Sequence, residues 1–541
     1  MSEASPRVAG TLRIGVDVGG TNTDAVAMSG NEVAGWAKAV TTADVTAGIV
    51  TAVRSLLAGD DLPTAEIGAV MIGTTHFTNA LVEGRRLVPT AVVRLGLPAT
   101  KGIPPFIDWP DRLREVLGDH VYLCHGGHEF DGRLITPIDH GELRAAARDI
   151  AAKGVRSVAV ASVFSPVDDS YEHEAQEVLA DEVPELDISL SSEIGRLGLL
   201  ERENAAIVNA CLRPLAERTV AGLVEALVQL GLDCPLHVSQ NDGTLMSADF
   251  ARRYPVATFA SGPTNSMRGA AFLSGIRDGV VIDVGGTTSD IGVLVHGFPR
   301  EASTAVSVAG VRTNFRMPDV LSLGLGGGSL VRSANGATAG VTVGPDSVGY
   351  ELTERALVFG GVELTATDVA TAAGLAVIGD AASVGQLDEV LVGDAVDRMH
   401  DMLTTAIEQM KTSADPVPVV VVGGGGVLVR DGLAGASETI RPAHFSVASA
   451  IGAAIAQVGA ETDRVYSMAA MTRDEAMAEA RNVTAQRAVE AGAEPSTVEI
   501  TDVDEIPLTY LPSNAIRVRV KAVGDLALDA TNGATQKEAG T

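Results

Sequence analysis

Residues 12–24 read Leu-Arg-Ile-Gly-Val-Asp-Val-Gly-Gly-Thr-Asn-Thr-Asp: an apolar strand pattern that ends in an aspartate and breaks into a glycine turn. The motif returns far along the chain. Asp17–Asp24 (DVGGTNTD) and Asp283–Asp290 (DVGGTTSD) agree at six of eight positions. Each copy is preceded by a buried-strand pattern (12–18 and 279–284) and followed by a second short one (24–28 and 291–295), so strand–turn–strand is predicted twice. The gap between the copies is far too long for a solenoid repeat and fits two related lobes facing across a cleft.

The chemistry of the octet explains its composition. Two glycines let the backbone turn close to a ligand, and the residues after them offer hydroxyl, amide and N–H donors, an anion-binding nest. An aspartate cannot itself hold a phosphate, since both are negative; it acts through Mg²⁺ or through a water that it orients or deprotonates. Asp17 and Asp283 are therefore the candidate catalytic groups and Mg²⁺ ligands. Gly19, Gly20, Thr21, Asn22, Gly285, Gly286, Thr287 and Thr288 are the candidate phosphate cradle of an ATP bound between the lobes. Asp24 and Asp290 either join them or lock their own turns through Asx-type bonds. No GxxxxGK[ST] is present, and neither copy is a GxGxxG opening a helix, which excludes P-loop and dinucleotide readings.

Around these turns the pattern alternates strands and helices. A third strand is predicted at 32–39, a helix near 43–58, a strand at 67–72 running into Gly73-Thr74-Thr75, and a long helix over 201–230 with a kink at Pro214. In the second half a glycine-rich segment lies at 324–328. A helix at 385–411 follows, then a strand at 417–422 entering Gly423–Gly426, and a small-residue helix at 445–458. Beyond 466 the chain reads as helical, then strand-containing over 498–526, with a frayed tail at 529–541. The divisions expected are 1–200 for the first lobe, 201–465 for the second and 466–541 for a small C-terminal extension.

Composition narrows the class. The 541 residues are 46% hydrophobic and 20% charged, with 59 glycines and only 4% aromatics, a balance that suits an α/β enzyme rich in tight turns. A formal net charge of −29 disfavours nucleic acid and anionic membrane partners. Three cysteines without CxxC spacing, no apparent signal sequence and no long apolar span lead us to expect a soluble cytoplasmic protein. Cys124-His125-Gly126-Gly127-His128 has two histidines but lacks a helical HExxH frame, so a structural loop is the better reading.

Gly15–Asp24, Gly73–Leu81 (GTTHFTNAL), Ser261–Pro263 (SGP), Asp283–Asp290, Gly324–Ser329 (GLGGGS) and Val343–Gly349 (VGPDSVG) agree in order and spacing with one family. Through them the chain resembles the ATP-dependent hydantoinase/oxoprolinase family, in its short form, within the actin-like ATPase and sugar kinase superfamily. The resemblance covers most of residues 12–460. It implies an α/β fold of two ribonuclease H-like lobes around a nucleotide cleft. It also implies ATP- and Mg²⁺-dependent hydrolysis of a cyclic amide or imide, usually with a separately encoded second subunit and in an oligomer.

In actin-like proteins a turn such as Gly423-Gly424-Gly425 lies under the adenosine, which makes these residues nucleotide candidates; the alternative is a plain strand-to-helix connector. Thr74, Thr75, His76 and Asn79 are the candidate substrate edge of the cleft, with His76 either a proton carrier or structural. Arg312 and Arg316 either neutralise a phosphate or substrate carboxylate or form ordinary salt bridges. The chain departs from the family where Asn241-Asp242-Gly243 replaces a frequent Asn-Gly-Gly. Two rival activities are an ATPase that reactivates a partner enzyme and a small-molecule kinase.

Overall fold

A computed structural model describes residues 12–41, 45–59, 62–302, 305–333, 340–468, 471–508 and 515–528. The tail expected at 529–541 lies outside them.

The first motif builds a sheet from β1 (Leu12–Val18), β2 (Asn22–Ser29), β3 (Glu32–Val40), β4 (Ile67–Thr74), β5 (Leu236–Ser239) and β6 (Leu245–Ser247). Its order is β3-β2-β1-β4-β5, with the first three strands antiparallel and the pairs β1/β4 and β4/β5 parallel. The second motif repeats this plan. Here β7 (Gly279–Val284) and β8 (Ser289–Val295) form the hairpin. The short strands β9 (Phe298–Pro299) and β10 (Val320–Leu323) flank it antiparallel, and β11 (Val417–Val422) and β12 (Ala436–Ile440) continue it in parallel. The sequence duplication is thus a duplication of topology. Strand β11, a valine run flanked by helices, is buried along Val419–Val422, as a central parallel strand requires.

Strand pairing crosses the linear divisions. β13 (Val458–Tyr466), β14 (Glu499–Pro507) and β15 (Ile516–Gly524) extend the first-lobe sheet, β13 pairing parallel with β6 at Val458 and Leu245. A separate four-stranded parallel sheet (Thr90–Leu97, His120–His125, Ser157–Ser162, Asp187–Leu190) packs on the 31-residue helix Leu199–Gln229, which carries Pro214 inside it. Among the described residues no helix is long and apolar enough to cross a membrane.

Two short helices join the lobes. α1 (Ser261–Ser274) carries the chain from β6 to β7, and α2 (Ala448–Ile455) carries it back from β12 to β13. They cross backbone to backbone. A methyl group on Gly269 would lie 1.9 Å from the carbonyl oxygen of Ala448, and one on Gly452 would lie 1.9 Å from that of Asn265. Only glycine fits at either position.

A side chain at this crossing must push the two lobes' connections apart. Gly452→Leu is expected to destabilise the protein by roughly 2–3 kcal/mol. Gly393→Ala, at an exposed position of a helix with nothing nearby, should be neutral or stabilising by roughly 0.5–1 kcal/mol. Urea melts of both variants test this, and a Gly452→Leu protein that melts like the parent would disprove the close crossing.

Candidate active site

Each aspartate stands in a row of side chains across its sheet. In the first lobe the register runs Gly73, Asp17, Asp24, Lys38; in the second it runs Val422, Asp283, Asp290, Ser322. Directly opposed carboxylates repel, so each outer one has a partner. Lys38 Nζ donates to both oxygens of Asp24 at 2.7 and 2.8 Å, and Ser322 donates to Asp290 at 2.5 Å. Of the two alternatives for Asp24 and Asp290, the Asx-type turn lock is not formed. Positions 24 and 290 lie within β2 and β8, so their side chains meet the neighbouring strand rather than their own turn.

The turns themselves are closed by matching bonds, Gly19 N–H to the Asn22 carbonyl at 3.0 Å and Gly285 N–H to that of Thr288 at 2.8 Å. They face each other closely: a methyl group on Gly286 would lie 2.1 Å from Thr21 Oγ1, a buried hydroxyl with no partner. The glycine-rich segment braces the second turn, with Gly327 and Gly328 N–H donating to the carbonyls of Gly285 and Gly286. Gly423 and Gly425 pack on the same turn. Gly423 (φ +84°) lies against Asp283 and Gly425 N–H donates to the Val284 carbonyl, while Gly424 faces open space.

Asp17 and Asp283 share this cleft, and each receives a serine from a lobe-joining helix. Ser266 on α1 donates to Asp283 Oδ2 at 2.5 Å, and Ser449 on α2 hydrogen-bonds Asp17. Burial, then the charges of Asp24 and Asp283, push the Asp17 carboxyl up to about 7. Burial, together with the charges of Asp290 and Asp24, pushes Asp283 up to about 6, against the pull of Ser266. Two carboxylates that are hard to ionise, beside an unpartnered hydroxyl, are a donor set suited to a hard divalent cation.

The 73–81 segment borders this cleft. Gly73 is level with Asp17, Thr74 is tied both ways to Ser261 at 3.1 Å, and Thr75 Oγ1 is 3.5 Å from Asn79 Nδ2. His76 Nε2 lies 3.4 Å from Arg86, and burial followed by Arg86 lowers its basicity. The two arginines lie in other company. Arg312 is exposed and pairs with Glu201 at 3.1 Å. Arg316 is ringed by Asp242, Glu301 and Glu461, so the departure at Asp242 supplies an ion-pair partner. A cavity of about 360 Å³ beside that cluster, lined by Arg196, Asn314 and Arg519 among others, shares no residue with the turns. His125 pairs with Glu142 at 2.8 Å and His128 is buried against Tyr171. Lys38, Asn265, Ser266 and Ser449 also reach the site, although none of them belongs to the glycine motifs. The polar run Thr264-Asn265-Ser266, inside an otherwise small and apolar helix beside SGP, is the signal that marks two of them.

The raised acids make a pH-dependent stability with a definite sign. A carboxyl whose folded-state pKa lies above its unfolded value contributes most at pH below about 4, and that contribution is lost as pH rises through 6 to 7. Without divalent ions, the protein should lose on the order of 4 kcal/mol between pH 5 and 8 from this pair. Asp17→Asn should flatten the dependence and melt higher than the parent at pH 8. Thermal melts across pH test it, and an unchanged slope would refute the raised pKa.

Two family descriptions match the chain: the hydantoinase/oxoprolinase N-terminal region over residues 13–183 and hydantoinase/oxoprolinase over residues 202–377. The acetophenone carboxylase gamma subunit of Aromatoleum aromaticum is 26% identical over 392 residues, 66% of this chain and 52% of that protein. The caprolactamase subunit alpha of Pseudomonas jessenii is 26% identical over 393 residues, 67% of this chain and 54% of that protein. The chain thus spans about half the length of these curated relatives. The crystal structure of the ATP-dependent caprolactamase from Pseudomonas jessenii superposes with a TM-score of 0.75 at 20% identity, covering 95% of this chain and 87% of that one, which shows a shared fold. With the duplicated lobes and the matched motifs in place, the chain belongs to the hydantoinase/oxoprolinase family.

Proposed function

We propose that the chain binds ATP and Mg²⁺ between the two turns and uses the γ-phosphoryl group to activate the carbonyl oxygen of a cyclic amide or imide, hydantoin- or oxoproline-like, for ring opening. The observation that carries this is the pair of facing turns that set Asp17 and Asp283 in one cleft, bordered by the threonine-rich 73–81 edge. The relative named for caprolactamase supports the substrate class. Relatives named as gamma and alpha subunits support a companion subunit.

The chemistry follows from what a lactam lacks. Its carbonyl is a poor electrophile, and phosphorylation of the oxygen changes that. The carbonyl oxygen takes the phosphoryl group as ADP leaves, and water adds at the activated carbon. The C–N bond then breaks, with the nitrogen taking a proton as it leaves (an amine from a lactam, an amide from an imide), and the acyl phosphate is hydrolysed to carboxylate and phosphate. Such a transfer needs chiefly positioning and charge neutralisation. Backbone N–H groups of Gly19–Asn22 and Gly285–Thr288 would hold the phosphates, and Gly423–Gly425 would lie by the nucleoside. Asp17 and Asp283 would hold Mg²⁺, which when bound neutralises phosphate charge.

A second reading has its own support. A ketone carbonyl activated in the same way would suit the acetophenone carboxylase relative. Phosphate release from Mg·ATP is therefore to be measured with hydantoins, lactams, and ketones plus bicarbonate, with and without the companion subunit. Release that requires a cyclic amide is expected; release that ignores the ring would sink the leading proposal.

Asp17→Asn and Asp283→Asn should remain folded and lose about 10²-fold or more in kcat, and a variant with normal turnover would remove that residue from the site. Because the cation displaces protons from groups that titrate near 7 and 6, Mg²⁺ affinity should rise between pH 5.5 and 8. Calorimetric titration would show this, and a flat profile would place the metal elsewhere.

A further inference from the structure

The two lobe-joining helices treat their acids alike, with one difference. Ser266 on α1 serves Asp283 and Ser449 on α2 serves Asp17. The residue before Ser449 is Ala448, whereas the residue before Ser266 is Asn265. Asn265 is fully buried, and neither its amide nitrogen nor its amide oxygen has a hydrogen-bond partner. Buried carboxamides are nearly always satisfied, because an unmade bond there destabilises the fold. The symmetry of the lobes does not require this residue, and the fold gains nothing from its polar end.

Its position points to the ligand. A methyl group on Gly73 would lie 2.3 Å from Asn265 Nδ2 and 2.8 Å from Asp17 Oδ1. The carboxamide and the carboxylate therefore crowd the same space above Gly73, in the register row of Asp17, and no hydrogen bond joins them. An oxygen atom placed beside both would accept from Nδ2 and meet Asp17 on its other side.

We propose that Asn265 is a catalytic residue whose amide N–H holds the oxygen atom that receives the phosphoryl group, with Asp17 bracketing that oxygen. This rests on the phosphoryl-transfer reading above. That oxygen is the substrate's carbonyl oxygen. No proton moves: its bond to phosphorus forms as the bond from phosphorus to ADP breaks.

The test uses Asn265→Leu, which keeps the volume and removes the amide, with Asn265→Ala beside it. Without nucleotide, Asn265→Leu should melt at or above the parent temperature, since an unsatisfied polar group has gone. Mg·ADP should still raise its melting temperature. The extra rise given to the parent by Mg·ADP with aluminium fluoride, a mimic of phosphoryl transfer, should be lost. In the complete complex, kcat should fall about 50-fold or more with KM for ATP within about 3-fold. Phosphate release by the parent is expected only with organic substrate; release without it would bring down the underlying reading and not the role of Asn265 alone.

Parent-like turnover in Asn265→Leu would overturn the proposal. So would melting far below the parent in both variants with loss of the Mg·ADP effect, which marks a structural residue. A parent protein that gains no stability from Mg·ADP or Mg·ATP would instead bring down the underlying reading, and that failure is visible before any variant is made.

Discussion

The contact between α1 and α2 at Gly269 and Gly452 sets the position of nearly everything that bears on function. The two lobes are separate sheets, and only connections that cross between them can bring their turns together. With side chains at the crossing the helices would stand apart, and Ser266 and Ser449 would no longer reach acids belonging to opposite lobes. Small residues here are a geometric requirement, which explains why the chain spends Ala448, Ala450, Gly452 and Ala453 on a helix whose buried face carries so little apolar area.

What the crossing assembles is electrostatically unfavourable by itself. Four carboxylates, Asp17, Asp24, Asp283 and Asp290, converge in a protein whose net charge is already −29. The outer two are quieted by Lys38 and Ser322, while the inner two keep part of their protons near neutrality. The two rows are not equivalent: a lysine closes the first and a serine the second, so the first lobe retains more positive charge beside its turn.

Much of the fold was legible because duplication reports topology directly. DVGGT followed by an apolar strand, written twice, states that two hairpins exist, and the valine run before Gly423 states a strand. The divisions at 200 and 465 were read from local pattern. Strand partners, however, are chosen by tertiary contact: β13, β14 and β15 complete the first-lobe sheet although they follow the second lobe in the chain. Arg316 was ambiguous for the same reason. Its sequence neighbours say nothing of Asp242, Glu301 and Glu461, which reach it from three different segments.

The sequence by itself determined the two glycine turns, their leading aspartates and the family, because each is written in contiguous residues whose backbone chemistry is local. Tertiary structure alone decided that the turns face one another, that Asp17 and Asp283 resist ionisation, and that Asn265 stands unpartnered beside Gly73. Burial, mutual repulsion and an unmet hydrogen bond depend on distances between residues that lie hundreds of positions apart, and those distances exist only once the lobes are joined.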